Sequence, residues 1–167
     1  NRGGGEVDGV NYSAKECYLK ALSCDPDDAP AWNGLGNEGG CEVDGVEYDG
    51  KACILKALSF DPEESSLWNS LGVKGGGQVA GIEYDKRLCY LKALSYNPKY
   101  GIVWYNLGVQ GGGEVGGLEY TEKACYEQAL SYDPGHANAW TNLGFEGLLQ
   151  KDESRILLTR MVNQPRW

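Results

Sequence analysis

The stretch YDGKACILKALSFDPEESSLWNSLG at residues 48–72 decides how this chain folds. Its first half predicts a helix over residues 50–60, because Cys53 and Ala57 stand at i and i+4 on one apolar face. Asp49 precedes this helix, and its side chain can accept a hydrogen bond from the first-turn amides. The Asp-Pro pair that follows ends the helix, since proline disfavours a helical residue before it and lacks an amide hydrogen.

A second helix is predicted directly after the proline. It carries Leu67, Trp68 and Leu71 on one face, and Gly72 stands beside them, where a bulky side chain would hold a neighbouring segment away. Runs of glycine then end the helix, since each interior glycine costs about 0.5 to 1 kcal/mol relative to alanine. The stretch Val43-Asp44-Gly45-Val46 has the pattern of a tight two-residue turn between extended arms.

The same pattern recurs with a period of 36 residues, and tyrosine, cysteine, proline and tryptophan each recur in all four copies. The copies are residues 3–38, 39–74, 75–110 and 111–146, followed by a tail at 147–167. The repeated unit is a glycine-rich loop, a helix, a proline turn and a second helix. The sequence therefore predicts an all-α fold, a solenoid of helical hairpins with short hairpin-like loops between them.

These residues resemble the tetratricopeptide repeat family, whose Trp-Xaa-Xaa-Leu-Gly and Ala-Leu-Xaa-Xaa-Asp-Pro elements are present here. They are Trp32, Leu35, Gly36, Ala57, Leu58, Asp61 and Pro62. The period is 36 rather than the family's 34, and glycine replaces the tyrosine that the family has three residues after the Leu-Gly glycine. The resemblance implies a right-handed superhelical scaffold that binds other proteins, often through extended peptides, without catalytic activity.

The resemblance also implies a binding surface. The residue after each tryptophan and the residue four positions later would face the concave side, and the alternative is a face that is merely solvated or packed on itself. These residues are Asn33, Asn37, Asn69, Val73, Tyr105, Val109, Thr141 and Phe145.

Composition excludes several classes of partner. The chain has 15 basic and 24 acidic residues, a net charge of −9, and clusters too few lysines and arginines to hold nucleic acid or an anionic membrane. No apolar stretch approaches the roughly 20 residues of a membrane-spanning helix. We therefore expect protein or peptide partners, no nucleic acid and no membrane insertion.

The six cysteines could suggest a metal site or a nucleophile. Four recur on the apolar face of the first helix, at spacings too wide for disulfides between copies, so we expect free, buried thiols, which favour an intracellular compartment. Cys24 and Cys41 stand outside this pattern and have no assigned role. No Cys-Xaa-Xaa-Cys pair is present, and His136 is the only histidine, so zinc and Cys-His catalysis are disfavoured.

Two further motifs are weak. Gly111 to Gly116 spells the glycine spacing of a dinucleotide-binding loop, but a helix is predicted before it and no strand. The acidic residues between Glu42 and Asp49 alternate as calcium ligands can, but the other copies do not keep them. We expect no catalytic residue, cofactor or metal.

The leading hypothesis is a non-enzymatic scaffold, an accessory or assembly subunit of a larger complex. The alternative is a structural protein whose repeats stack between copies into a fibre or array. Residues 1–25 are expected to form an interface for upstream repeats or self-association, because no tryptophan-containing helix precedes residues 14–24. Residues 147–167 are expected to form a capping helix.

Overall fold

The computed structural model describes residues 4–147 of the chain, where hairpins of two antiparallel strands alternate with pairs of helices. The strands are β1 (Gly4–Val7), β2 (Val10–Ser13), β3 (Gly40–Val43), β4 (Val46–Asp49), β5 (Gly77–Val79), β6 (Ile82–Tyr84), β7 (Gly113–Val115) and β8 (Leu118–Tyr120). The helices are α1 (Ala14–Cys24), α2 (Ala29–Asn37), α3 (Gly50–Phe60), α4 (Ser65–Val73), α5 (Lys86–Tyr96), α6 (Gly101–Val109) and α7 (Glu122–Tyr132). Residues 137–147 form a further helix, α8, up to the end of the described range.

The all-α prediction is wrong, because the glycine-rich segments are paired strands. In the second hairpin Val43 lies opposite Val46, and Gly40 lies opposite Asp49 at the open end. Asp44 and Gly45 both have positive φ, 51° and 77°, which matches the right-handed twist of the two arms. The tight turn was therefore predicted correctly, while the strand ladder on either side of it was mistaken for a loop.

Each first helix begins at the predicted polar cap. The Asp49 carboxylate accepts a hydrogen bond from the Ala52 amide at 2.7 Å. Ser13 accepts from the Glu16 amide, and the Glu16 carboxylate accepts in return from the Ser13 amide at 2.8 Å. These hydrogen bonds from the Ser13 amide and hydroxyl hold the pKa of Glu16 below its usual value.

The second helix of each pair packs on the first helix of the next. In α4 the glycine of the Leu-Gly pair, Gly72, lies against the Tyr90 ring of α5, and a Cβ there would overlap that ring. The tryptophan of the same helix packs on the tyrosine sixteen residues later, with ring centroids 4.7 Å apart for Trp68 and Tyr84. The Trp68 indole also donates to the Pro62 carbonyl at 2.7 Å, so one side chain fixes both the proline turn and the next hairpin.

The chain divides into two compact units between Pro98 and Lys99. The first unit has a core between α2, α3, α4 and α5, where Leu35, Ile54, Leu71 and Leu94 are fully buried. The second unit has its own core, in which α6 packs on α7. The predicted 36-residue blocks remain a prediction, and the capping helix predicted for 147–167 lies almost wholly outside the described residues.

Candidate functional site

The first two predicted binding residues lie together in a cavity of the first unit. Asn33 and Asn37 are one helical turn apart on α2 and line a cavity of about 270 Å³. We call this the asparagine cavity. Its other lining residues are Tyr18, Ala29, Pro30, Gly34, Asp61, Glu64, Ser66 and Leu67.

One residue that lines the asparagine cavity, Asn33, carries an unsatisfied polar atom. The side-chain oxygen of Asn33 is buried and has no hydrogen-bond partner among the described residues. A buried acceptor without a partner costs roughly 1 to 3 kcal/mol of desolvation. An N–H or O–H donor that reached this oxygen would recover this cost.

Two carboxylates give the asparagine cavity an acidic rim. Asp61 and Glu64 are both exposed, and the Glu64 carboxylate already caps α4 by accepting from the Ser66 amide at 2.9 Å. A cationic side chain at this rim would meet two negative charges.

The other predicted residues of the first unit lie on α4. Asn69 is half-buried, while Val73 is 59% exposed near the end of the helix. Neither residue lines the asparagine cavity.

In the second unit the predicted residues differ in environment. The half-buried Tyr105 ring packs on His136 and Tyr126, with centroid distances of 4.6 and 6.0 Å. The Thr141 hydroxyl donates to the Ala137 carbonyl at 3.1 Å, so it is satisfied within its own helix. The remaining two, Val109 and Phe145, are exposed apolar side chains.

The contact of His136 with Tyr105 was not predicted, because His136 stands in a variable column of the repeat. Its Nδ1 accepts from the Ala139 amide at 3.2 Å, which places it as a cap at the start of α8. Burial raises the pKa of the neighbouring Tyr126, while a hydrogen bond with the Asn142 side chain opposes this shift. The Tyr126 side chain is therefore an uncharged phenol near pH 7.

A larger groove of the first unit was missed altogether. It has a volume of about 510 Å³ and lies between α1, the second hairpin and α3. We call it the hairpin groove. Its lining residues are Leu19, Leu22, Ser23, Pro26, Asp27, Trp32, Glu42, Val43, Asp44, Val46, Tyr48, Lys56 and Phe60.

The hairpin groove is aromatic at its base and charged at its edge. Trp32 and Tyr48 pack edge to face with centroids 5.0 Å apart. The Lys56 ammonium lies 4.9 Å from the centre of the Phe60 ring. The only sequence signal for this groove was the apolar residue that every copy carries after its turn, such as Val46, which is 50% exposed.

The alternative chemistries find little support in the described part of the chain. Residues 4–147 contain no group of three or more histidine, cysteine or acidic side chains placed to hold a metal ion. The Gly111 to Gly116 segment runs from the end of α6 into a hairpin turn, so no helix N-terminus follows it to face a phosphate. Across the second hairpin Glu42 pairs with Glu47, and Asp49 is occupied as a helix cap.

The cysteines lie in three environments. Cys53, Cys89 and Cys125 are fully buried, as predicted, and Cys41 is nearly so, whereas Cys17 is only half-buried and Cys24 is exposed. Burial raises the pKa of both Cys53 and Cys89 to about 12. These thiols are neutral at physiological pH and are therefore poor nucleophiles.

Comparison with known proteins identifies one segment. The family model described as tetratricopeptide repeat matches residues 17–37, which run from α1 to the end of α2. No curated protein matches the sequence. Among the described helices, none combines the length and apolar character needed to cross a bilayer.

Proposed function

We propose that this chain, which matches the tetratricopeptide repeat model at residues 17–37, is a non-catalytic scaffold for protein partners. Repeats of this family generally mediate protein–protein interactions and typically lack catalytic activity. The finer proposal is that the chain is an accessory or assembly subunit that holds an extended segment of its partner. Its contact residues would include the predicted concave-face positions, beginning with Asn33 and Asn37.

The observation that carries this proposal is the unpaired Asn33 oxygen in the asparagine cavity. The backbone N–H groups of an extended peptide are free to donate, whereas those of a helix or sheet are already hydrogen-bonded within that structure. One such donor, directed at Asn33, would satisfy the buried acceptor. Asn37, four residues later on the exposed side of the same helix, can donate or accept at the next peptide group.

Charge favours a basic partner segment. The rim carries Asp61 and Glu64, and the whole chain has a net charge of −9. Lysine or arginine in the partner would gain from both the local carboxylates and long-range attraction. The volume of about 270 Å³ suits one side chain with its flanking backbone rather than a whole helix.

The proposal is tested with three immobilised forms of the chain: the wild type, Asn33→Leu and Asn138→Leu. The last is the matched control, because Asn138 is an exposed helical asparagine outside the cavity. Proteins retained from a native extract are identified by mass spectrometry, and binding of the retained segment is then titrated as a synthetic peptide. We expect tight binding by the wild type and the control, and at least tenfold weaker binding by Asn33→Leu. Equal affinity of all three forms would contradict the proposal.

A second candidate function is end-to-end stacking of copies. Cys17, Tyr18 and Ala21 of α1 are half-buried, whereas Cys53, Ile54 and Ala57 at the equivalent positions of α3 are fully buried. The apolar face of α1 is thus less covered than that of the later first helices.

The opposite end of the described range has a matching feature. Trp140 is 56% exposed, while the other tryptophans of its column are at most 3% exposed. Each of those packs on the tyrosine of the next copy of the repeat, as Trp104 does on Tyr120. Stacking would allow Trp140 to meet Tyr12 of a second molecule in the same way. This favours a heterologous, head-to-tail contact of the kind that builds filaments.

A further inference from the structure

Two cysteine sulfurs of the first unit lie side by side. The Sγ atom of Cys41 in β3 is 3.6 Å from the Sγ atom of Cys53 in α3, and both side chains are buried. The other three copies have glycine at the position of Cys41, namely Gly5, Gly77 and Gly113. Among the four copies, only the second therefore has a cysteine at this hairpin position, next to the cysteine that every copy has on its first helix.

We propose that Cys41 and Cys53 are a modification site, a dithiol that small-molecule disulfides oxidise to an intramolecular disulfide joining β3 to α3. A disulfide needs the two sulfurs at about 2.05 Å, so the pair must close by about 1.5 Å. Rotation about the Cα–Cβ bonds moves a sulfur by this amount without backbone displacement. The pair therefore stands close to bonding geometry in the reduced fold.

The reaction proceeds by two thiol–disulfide exchanges. The Cys41 thiolate attacks one sulfur of oxidised glutathione, forms a mixed disulfide, and releases one glutathione thiolate. The Cys53 thiol then loses its proton and attacks the Cys41 sulfur, which releases the second glutathione thiolate. The protein loses two protons and two electrons, and one glutathione disulfide is reduced to two thiols.

This order follows from accessibility. Cys41 is 7% exposed, whereas Cys53 is fully enclosed and cannot meet a glutathione molecule directly. Burial also raises the pKa of Cys53 to about 12, which keeps its thiolate scarce and makes the second exchange slow. The site would accordingly respond to sustained oxidation rather than to brief exposure.

The bond would tie together two walls of the hairpin groove. Glu42 and Val43, which follow Cys41 directly, line one wall, and Lys56 and Phe60 of α3 line the same groove. A covalent link from β3 to α3 restrains the motion of the hairpin relative to the helix. Oxidation would therefore fix the width of this groove.

The proposed disulfide can be detected directly by peptide mapping. Trypsin cuts after Lys20, Lys51 and Lys56, so Cys41 and Cys53 fall on separate peptides, residues 21–51 and 52–56. The full-length chain carries the substitution Cys24→Ser, because the exposed Cys24 lies on the same peptide as Cys41. The folded protein is incubated with oxidised glutathione. Free thiols are then blocked with N-ethylmaleimide in denaturant, so that buried thiols also react, and the digest is analysed by mass spectrometry without reduction.

We expect a linked pair of peptides 21–51 and 52–56, lighter than their sum by two hydrogen atoms. The matched control is Cys41→Gly, which restores the residue of the other copies and should leave Cys53 fully alkylated. Cys89 is an internal control, because its hairpin partner position is Gly77, and it should be alkylated in both forms. Circular dichroism checks that both forms are folded. If Cys53 is alkylated in the wild type as completely as Cys89, or is linked to a cysteine other than Cys41, the proposal is wrong.

Discussion

At the scale of single residues, the repeated tryptophan joins three parts of the structure. The Trp32 indole donates to the Pro26 carbonyl at 2.9 Å, and its ring packs on Tyr48 of the next hairpin. The ring is 3% exposed, so nearly all of its apolar surface is removed from water. Removing such a side chain leaves a cavity that the surrounding backbone fills only partly.

Trp104→Ala should therefore lower the free energy of unfolding by about 3 to 5 kcal/mol. Trp140→Ala is the matched comparison within the same unit, because Trp140 is 56% exposed but keeps the bond from its indole to the Pro134 carbonyl. Its loss should cost no more than about 1 kcal/mol. Urea unfolding followed by circular dichroism measures both. Similar losses for the two variants would mean that the aromatic stack does not anchor the repeat.

The cysteines predict an order of reactivity with a soluble disulfide reagent. Cys24 should react first, the half-buried Cys17 second, and Cys41, Cys53, Cys89 and Cys125 only slowly in the folded chain. With a pKa of about 12, Cys89 is only about 0.1% thiolate even at pH 9, so alkaline buffer alone should not make Cys89 react quickly. Peptide mapping after timed labelling gives the order, and all six should react in denaturant. Rapid native labelling of Cys89 would contradict its burial.

At the scale of secondary structure, helices and turns were predictable because their signals are local. The cap at Asp49, the proline at 62 and the Asp44-Gly45 turn each act within four residues of the structure they set. Strand pairing was harder to predict, because each arm has only three or four residues and its side chains are mostly exposed. Such short arms lack the alternation of buried and exposed residues by which strands are usually recognised.

The hairpins also require glycine at a defined position. Gly76 has a φ of +81°, and its amide donates to the Leu71 carbonyl at 2.9 Å, which closes the end of α4. A Cβ at Gly76 would overlap the Tyr84 carbonyl oxygen of the paired strand, whereas a Cβ at Gly75 would meet open space.

Gly75→Ala and Gly76→Ala should therefore differ in stability. Both variants place alanine at positive φ, which costs roughly 1 to 2 kcal/mol. Gly76→Ala carries the additional overlap with the backbone and should lose at least about 2 kcal/mol more. Thermal and urea unfolding of the two variants give the difference. Equal losses would show that the hairpin moves aside without cost.

The candidate site was likewise predictable from the sequence only where local spacing sets it. Asn33 and Asn37 share a helix face by their i and i+4 spacing, so their proximity follows from sequence alone. The opposite wall of the asparagine cavity, from Asp61 to Leu67, depends on how later helices pack, which no local pattern gives. The closeness of Cys41 and Cys53 has the same origin, because it requires the hairpin to fold onto α3.

At the scale of the whole molecule, the two candidate functions differ in the surfaces that they require. A scaffold needs only the grooves of its repeats, whereas stacking needs two different surfaces that fit each other on separate copies. The half-buried face of α1 and the exposed Trp140 are the candidates for those two surfaces. Blocking one surface at a time distinguishes a head-to-tail contact from a symmetric one.

If copies stack head to tail, the mass of the wild type measured by sedimentation should rise steadily with concentration. Ala21→Glu places a charge on the α1 face and Trp140→Ala removes the other contact, so each variant alone should be monomeric. Their equimolar mixture should form dimers and nothing larger, because only one complementary pair of surfaces remains. Lys20→Gln is the matched control, since it shifts the net charge from −9 to −10 as Ala21→Glu does, but at an exposed position. Circular dichroism confirms that each variant is folded. A wild type that is monomeric at every concentration would exclude stacking and leave the scaffold as the function to pursue.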